Sequence, residues 1–562
     1  MSVKDKGIDI EGSIFLKAKR TTSAKILRST IAILISNNEI HLLSDEDGGS
    51  NFDTPIKVNV WIKENNKGDE GELLNNTVSV EVKNNKIFGE GGIWDEYKAY
   101  IYAWAHISGV TTNMSNNKVS VKVLNNEIYS ATELSADTAI FARGHIWVNS
   151  LDSSRTIKFE NNTVTVVVEG NMVNNSSVET GINASAFLGM KSEADSNLVR
   201  LQDNNVSLSV AGNALKQAMI VEGSRMLGTG VWAFTYLGVN YDDPAYIENL
   251  DEVLADLRGP NYVSLSIVRN NLTMFDEAIH LPSLESLPRT EHYSIKEVTP
   301  DIHFNNFIYD NIGVYAEESN TVPEGYNLTH NWWGNVNGPS GIGHGSGCKV
   351  LGDAQASYTP WLNAPYPAGE PLTGVGTSST VPSGNTLTLS KNDRYGGIWR
   401  NVSVTLTNDG ESSSRFGLTI FRDGKPAPET PPTNTLYYFD VYVEDGDPTN
   451  MQVIVKANYS ESYLGGAPEE TLKLMWWNGS AWVEFSNCSV DTDHNVVTGY
   501  ITPNTVPSIR DLRGTVVALV YTPSSAVVGG ELEVPTASSD WGLVAAATLT
   551  VMAAVIVASR KL

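Results

Sequence analysis

The sequence predicts an all-β chain: a β-solenoid over residues 1–368, an antiparallel β-sandwich over 385–523 and one transmembrane helix over 541–558. Three observations predict it. Close copies of one strand-and-turn segment recur through roughly the first 370 residues, separate strands with a hairpin signal follow, and an uncharged apolar run lies near the carboxyl end.

The repeated segment is clearest as Thr77–Ile87, TVSVEVKNNKI. Val78, Val80 and Val82 alternate with Ser79, Glu81 and Lys83, the period-two pattern of a half-buried strand, and an Asn-Asn pair then turns the chain. Thr30–Ile40 and Lys118–Ile128 repeat it, and looser copies begin at Thr163, Asn205 and Tyr262. The interval is roughly 41 to 47 residues, with one of roughly 57 before the last copy. A strand with one apolar edge buries that edge by stacking on copies of itself, which is a solenoid. Asn suits the corners because it tolerates left-handed backbone angles and its amide can bond an Asn one rung away. The expected corners are Asn37-Asn38, Asn84-Asn85, Asn125-Asn126 and Asn305-Asn306. Whether one repeat makes one rung or two is open at this stage.

Between the repeated strands lie more variable stretches such as Ile93–Gly109, rich in rings at Trp94, Tyr97, Tyr100, Tyr102 and Trp104. These rings either pack on the solenoid or form a platform for pyranose faces. Tyr241–Leu257 carries Asp242, Asp243, Glu248, Asp251 and Glu252 and reads as a solvated acidic insertion.

Charged residues make up 18% of the 562-residue chain and the net charge is −25, which argues against a nucleic-acid partner. Asn75, Asn113, Asn161, Asn183, Asn205, Asn271, Asn327, Asn401, Asn458 and Asn478 begin N-x-S/T sequons and are candidate glycosylation sites in an exported chain. Met1–Arg20 has none of the regions of a signal peptide, so an exported product is expected to begin upstream of Met1. Cys348 and Cys488 are either free or paired.

Asp301–Ala316 leads into Asn331–Gly341, NWWGNVNGPSG, followed by Tyr358–Leu362, YTPWL. Asn331, Trp332, Trp333, Gly334, Gly338, Pro339 and Trp361 together resemble the closing coil of parallel β-helix proteins of the pectate-lyase-like and periplasmic-copper-binding-like type, many of them archaeal or bacterial surface proteins. The resemblance implies a right-handed parallel β-helix whose open end is capped by Trp332, Trp333 and Trp361.

Polysaccharide-cutting relatives would imply either calcium-binding Asp clusters with an Arg base, or close Asp residues beside a Gly-His-Gly. Gly343-His344-Gly345 has that tripeptide, but no Asp pair precedes it, and a flexible loop is expected. His41, His106, His145, His280, His292, His303 and His330 are scattered, which gives no copper site. No catalytic residue, metal ligand or cofactor is therefore expected. Calcium at Asp45–Gly49 or Asp445–Asp447 is weighed against plain turns.

Residues 369–384, rich in Pro, Gly, Ser and Thr, read as a linker. Leu436–Val443, Met451–Ala457, Leu472–Trp476, Trp482–Phe485, Val496–Ile501 and Thr515–Tyr521 then read as sandwich strands, with Asn478-Gly479 as a hairpin turn. This part resembles the sandwich modules that follow β-helices in prokaryotic surface proteins, which implies a spacer. Residues 524–540 read as a stalk. Trp541–Ala558 is long enough for a bilayer-spanning helix of about 27 Å, and the basic tip 559–562 places that end inside. Val534, Pro535, Thr536, Trp541 and Gly542 resemble a carboxyl-terminal sorting signal, with Ala537 and Asp540 departing from its commonest form.

The expectation is a surface protein held by the membrane, structural or adhesive, whose partners are glycans or neighbouring surface proteins. A surface-tethered polysaccharide lyase or glycosidase and a surface-layer coat subunit are the competing expectations.

Overall fold

Val78, Val80 and Val82 point into a core while their neighbours face out, and each finds a matching residue one repeat away. In a computed structural model of the chain, Val78 lies between Ile31 and Val119, and the whole strand Thr77–Lys83 pairs in parallel with Thr30–Ser36 and Lys118–Leu124. The structure describes residues 2–3, 8–16, 25–42, 51–52, 54–64, 71–89, 92–93, 99–130, 137–149, 156–176, 178–192, 198–217, 228–241, 255–258, 260–281, 300–316, 326–352, 356–427, 429–431, 433–444 and 446–523. It is all-β, parallel sheets first and antiparallel sheets after, compatible with a parallel β-helix-like solenoid.

One repeat is one coil of four strands. Ile56–Glu64, Glu72–Leu74, Thr77–Lys83 and Lys86–Gly89 each pair in parallel with their counterparts Ala99–Gly109, Asn113–Ser115, Lys118–Leu124 and Glu127–Ser130. The first strand of each coil builds the longest sheet. That sheet takes in Ala99–Gly109, part of the stretch that reads as variable in sequence. Inward Val, Ile, Leu and Ala residues of all coils fuse into one core.

The short strands meet at two-residue corners, and Asn does two jobs there. The first corner residue takes the left-handed conformation, as Asn37, Asn75, Asn84, Asn116, Asn125 and Asn161 do with φ between 52° and 59°. The second is a buried Asn that bonds to its copies above and below. Asn126 Nδ2 donates to Val82 O (3.1 Å) and Asn171 Oδ1 (2.9 Å), while its Oδ1 accepts from Asn85 N (3.0 Å) and Asn85 Nδ2 (2.9 Å). Both donors and both acceptor positions of the amide are thus filled, which is what makes an uncharged polar group tolerable in the core. This ladder runs Asn38, Asn85, Asn126, Asn171, Asn213, Asn270, Asn305 and Asn331. A second ladder, Asn76, Asn117, Asn162, Asn204 and Asn261, follows the other corner.

Asn306 is not a corner residue. Phe304 takes the left-handed position (φ 59°), so the corner falls one residue earlier than the Asn-Asn pair suggests. Asn306 instead sits in the strand Asn306–Ile308 and clamps the Tyr366 backbone, donating to its O (3.0 Å) and accepting from its N (2.7 Å).

The closing motif packs as a lid of rings. Trp333 is fully buried and stacks on Phe307 at 4.8 Å, and Trp361 is buried with its indole N–H on Val336 O (2.7 Å). Trp332 is only half-buried and ties in through its backbone to Asn305 and Phe307. Gly338 favours Gly through its left-handed φ of 85°, and a Cβ there would also crowd the Trp361 ring at 3.1 Å.

The linker expectation is corrected. Pro371–Val381 is an eleven-residue strand, antiparallel to Ser414–Asp423. Its glycines mark close packing: a Cβ on Gly376 would meet the His344 Cβ at 2.9 Å, and one on Gly374 would crowd the Trp361 ring at 3.1 Å. The strand belongs to a seven-stranded sheet that shares a core with a five-stranded one. Leu372, Phe421 and Val516 of the larger sheet join the core of the coils instead, so that sheet covers the end of the stack.

Gly343-His344-Gly345 is likewise part of this junction and not a loose loop. Tyr442 Oη donates to His344 O (2.9 Å), and Cβ atoms on Gly343 or Gly345 would strike the carbonyls of Pro339 and Gly338 at 2.3 and 2.2 Å. Nearby, Asn337 Nδ2 donates to Oδ2 of the fully buried Asp440 (2.7 Å). Burial pushes the Asp440 carboxyl up to about 8, against the smaller opposing effect of the Asn337 bond.

Two expected outcomes follow from this packing. Replacing Asn162 by Ala strands the bonds it makes to Asn117, Asn204 and Met114, and should cost about 2–4 kcal/mol. Asn161→Gly on the exposed corner beside it should cost less than about 0.5 kcal/mol, both read from denaturant midpoints. The second concerns pH. The Asp440 pKa is higher folded than unfolded, so the fold favours its protonated form; that stability is complete below pH ~4 and is lost as pH rises towards about 8. Asp440→Asn should therefore flatten the fall in stability expected of the parent chain between pH 5 and pH 8.

Candidate binding face

Along the longest sheet, alternate residues point away from the core, and register places copies of one position side by side at about 4.8 Å spacing. Phe141 pairs with Tyr102 on one side and Asn183 on the other, and Asn183 pairs with Trp232. Two residues along, Arg143 lies between Trp104 and Ser185, and Ser185 pairs with Phe234. The outer face thus carries an aromatic patch with Arg143 inside it and Lys57 beside Tyr102 at its edge.

The patch is organised by ring packing. Phe141 stacks flat on Tyr102 (4.7 Å, 6°), Trp232 meets Phe234 edge-on (5.0 Å), and the Arg143 guanidinium sits 4.2 Å from the Phe141 ring centre. Phe141, Arg143, Asn183, Trp232 and Phe234 are half-buried, which leaves part of each open to solvent. Burial pulls the Arg143 pKa down, and Arg143 Nε and Asn183 Oδ1 have no hydrogen-bond partner. Among the described residues no carboxylate pairs with Arg143. A partly desolvated cation beside aromatic faces is chemistry suited to a hydroxyl-rich or anionic ligand, and the Asn183 amide oxygen, buried and without a hydrogen-bond partner, lies in the same row as the rings.

Further along the same face the rings are closed over. His106 stacks between Trp61 (6.0 Å) and Trp147 (4.4 Å), and His145 Nε2 lies 3.0 Å from Ser185 Oγ. The histidines that look scattered in sequence are partly gathered by the coil: His106 and His145 are register neighbours. His41 stacks on Phe88, His280 bonds Glu277 (2.7 Å), His303 bonds Asp301 (2.7 Å) and faces His330, and His292 lies outside the described residues.

Of the aromatic residues singled out by sequence, Trp94 and Tyr97 lie outside the described residues, Tyr100 and Tyr102 are buried, and Trp104 is half-buried. The sequence reading passed over Phe141, Arg143, Trp232 and Phe234, and named Asn183 only as a sequon. The signal was available: alternation within FARGHIW, aligned on the repeat interval, puts these side chains in adjoining rows.

Asp447, half of a weighed calcium site, caps the turn Pro448–Asn450, accepting from Thr449 N (3.0 Å), Thr449 Oγ1 and Asn450 Nδ2 (2.9 Å). Asp45–Gly49 lies outside the described residues, as do Val534, Pro535, Thr536, Trp541 and Gly542. No helix among the described residues is long and apolar enough to cross a membrane. Both cysteines are free, Cys348 buried and Cys488 half-buried.

The sequon asparagines spread over both regions. Asn75, Asn161, Asn205, Asn271, Asn327 and Asn478 are exposed, while Asn113, Asn183, Asn401 and Asn458 are half-buried on strands. Comparisons with family models, curated proteins and solved structures find no match for this chain.

If Arg143 is there for a ligand and not for the fold, Arg143→Met should leave the denaturant midpoint unchanged or raise it, because a partly buried charge with no carboxylate partner among the described residues is removed. A drop of more than about 1 kcal/mol would make Arg143 a structural residue.

Proposed function

We propose that this chain is a membrane-anchored cell-surface protein, structural or adhesive, that presents the outer face of its longest sheet to glycans or neighbouring surface proteins. In this reading the coils form a right-handed parallel β-helix of the pectate-lyase-like kind, the antiparallel module is a β-sandwich spacer, and residues 541–558 hold the membrane. The observation that carries the reading is the half-open patch of Phe141, Arg143, Asn183, Trp232 and Phe234, whose rings lie outside the core cluster and whose guanidinium pairs with no carboxylate among the described residues. The residue-for-residue register of these strands supports it, since a face held by regular backbone keeps its rings at fixed spacing without ordering cost on binding.

The test is to incubate the protein with a panel of acidic and neutral polysaccharides, with and without calcium, following both retention and chain cleavage. Retention without cleavage is expected, weakened about tenfold by Trp232→Ala and by Arg143→Met. Cleavage of any polymer would replace this reading by that of a surface-tethered lyase or glycosidase. Calcium-dependent lattices of the purified protein, with no glycan retained, would replace it by that of a coat subunit.

A further inference from the structure

On the five-stranded sheet of the C-terminal module, Ile398–Asn408 is an interior strand between Asn385–Tyr395 and Met451–Asn458. Its outward residues are Trp399, Asn401, Ser403, Thr405 and Thr407, and the facing rows carry Thr386 and Thr388, hydrogen-bonded to Thr407 (3.0 Å) and Thr405 (2.8 Å). Trp399 breaks this polar surface: it is 54% exposed, one of few large apolar side chains so open to water.

Its position is held firmly. A Gly396-Gly397 turn precedes it, the Tyr463 hydroxyl donates to Gly397 O (3.0 Å), and Trp399 N donates to that same hydroxyl (3.3 Å). Arg394, directly across the hairpin, lies 5.8 Å from the indole. With the Arg394 guanidinium over the ring at 5.8 Å and 54% of the residue still open to solvent, the braced indole keeps apolar area free for a further group.

Asn401 supplies an occupant. It opens the sequon Asn401-Val402-Ser403, stands two residues from Trp399 on the same strand, and so projects from the same face as the indole. Its side chain makes no hydrogen bond among the described residues. Other sequons with a ring two residues before them differ in this respect, since Phe159 before Asn161 and Trp476 before Asn478 are buried. The Asn478 amide oxygen is moreover occupied by Ser480 and Ala481.

We propose that Asn401 is an N-glycosylation site whose first sugar lies on the indole face of Trp399, which is why that ring is left open. The modification joins the sugar's anomeric carbon to Asn401 Nδ2, with loss of one amide hydrogen and of the donor's lipid phosphate leaving group. The pyranose C–H face then covers the ring. Asn458, the cross-strand neighbour of Asn401, also opens a sequon and is the competing acceptor on this face. The inference rests on the surface-protein reading, because only an exported chain meets the transferase.

The test uses the full chain purified from the cells that make it, with site occupancy mapped by mass spectrometry. Hydroxyl-radical oxidation of Trp399 is read in the same digests. Asn401 should carry glycan, and Trp399 should oxidise several-fold more slowly in the parent than in Asn401→Gln, whose fold is checked by an unchanged denaturant midpoint. Glycan at other sequons with Asn401 bare, or glycan on Asn458 instead, overturns the inference and leaves the surface reading standing. Equal oxidation of Trp399 with Asn401 occupied overturns the stacking. A chain without glycan anywhere overturns this inference and counts against export as well.

Discussion

Everything in the repeat region depends on a buried amide that is satisfied only by its own copy. An Asn side chain has two donors and two acceptor positions, and in a dry corner each unmet one costs roughly as much as a lost hydrogen bond. Here the ladders fill them with the next Asn, the preceding coil's carbonyl and the neighbouring backbone N–H. Such a group is stable only in register, so the ladders choose among alignments that the Val and Ile pattern alone permits. A slip by two residues keeps every apolar side chain inward but breaks the ladder.

The same register produces the candidate binding face. Because strands of successive coils align residue for residue on the longest sheet, a sequence position becomes a row of side chains at fixed spacing. Phe141 and Trp232 thereby flank Asn183, and Arg143 is placed beside Phe141. At the far end, the stack does not stop at its tryptophans. Trp333 and Trp361 share a core with Leu372, Phe421 and Val516, and the buried Asn337–Asp440 pair and the Tyr442 bond to His344 fix the two parts together. A junction closed by buried polar groups holds one orientation of the coils against the antiparallel sheets.

Much of this was readable from the sequence, and the limits have physical causes. The strand Thr77–Lys83 and its ladder at Asn85 and Asn126 were legible because alternation and corner chemistry agree in every copy. The ladder through Asn76, Asn117 and Asn162 was passed over, although its Asn precedes each strand at the same interval. Asn306 was misplaced because the left-handed residue of its corner is Phe304, a residue type seldom found there. Residues 371–381 read as a linker since their glycines suggested looseness, whereas they are small to let His344 and Trp361 approach. The patch around Arg143 is a property of three coils at once, so no single segment announces it.

The account turns on whether the outer face of the longest sheet is where this protein meets its partner. The most direct measurement is hydrogen exchange of the full chain with and without the glycan it retains best, resolved by peptide. Slowed exchange confined to Thr138–Asn149, Thr180–Ser192 and Thr229–Tyr241 is the predicted result. Slowing confined to the C-terminal module, with these three strands unchanged, would contradict it.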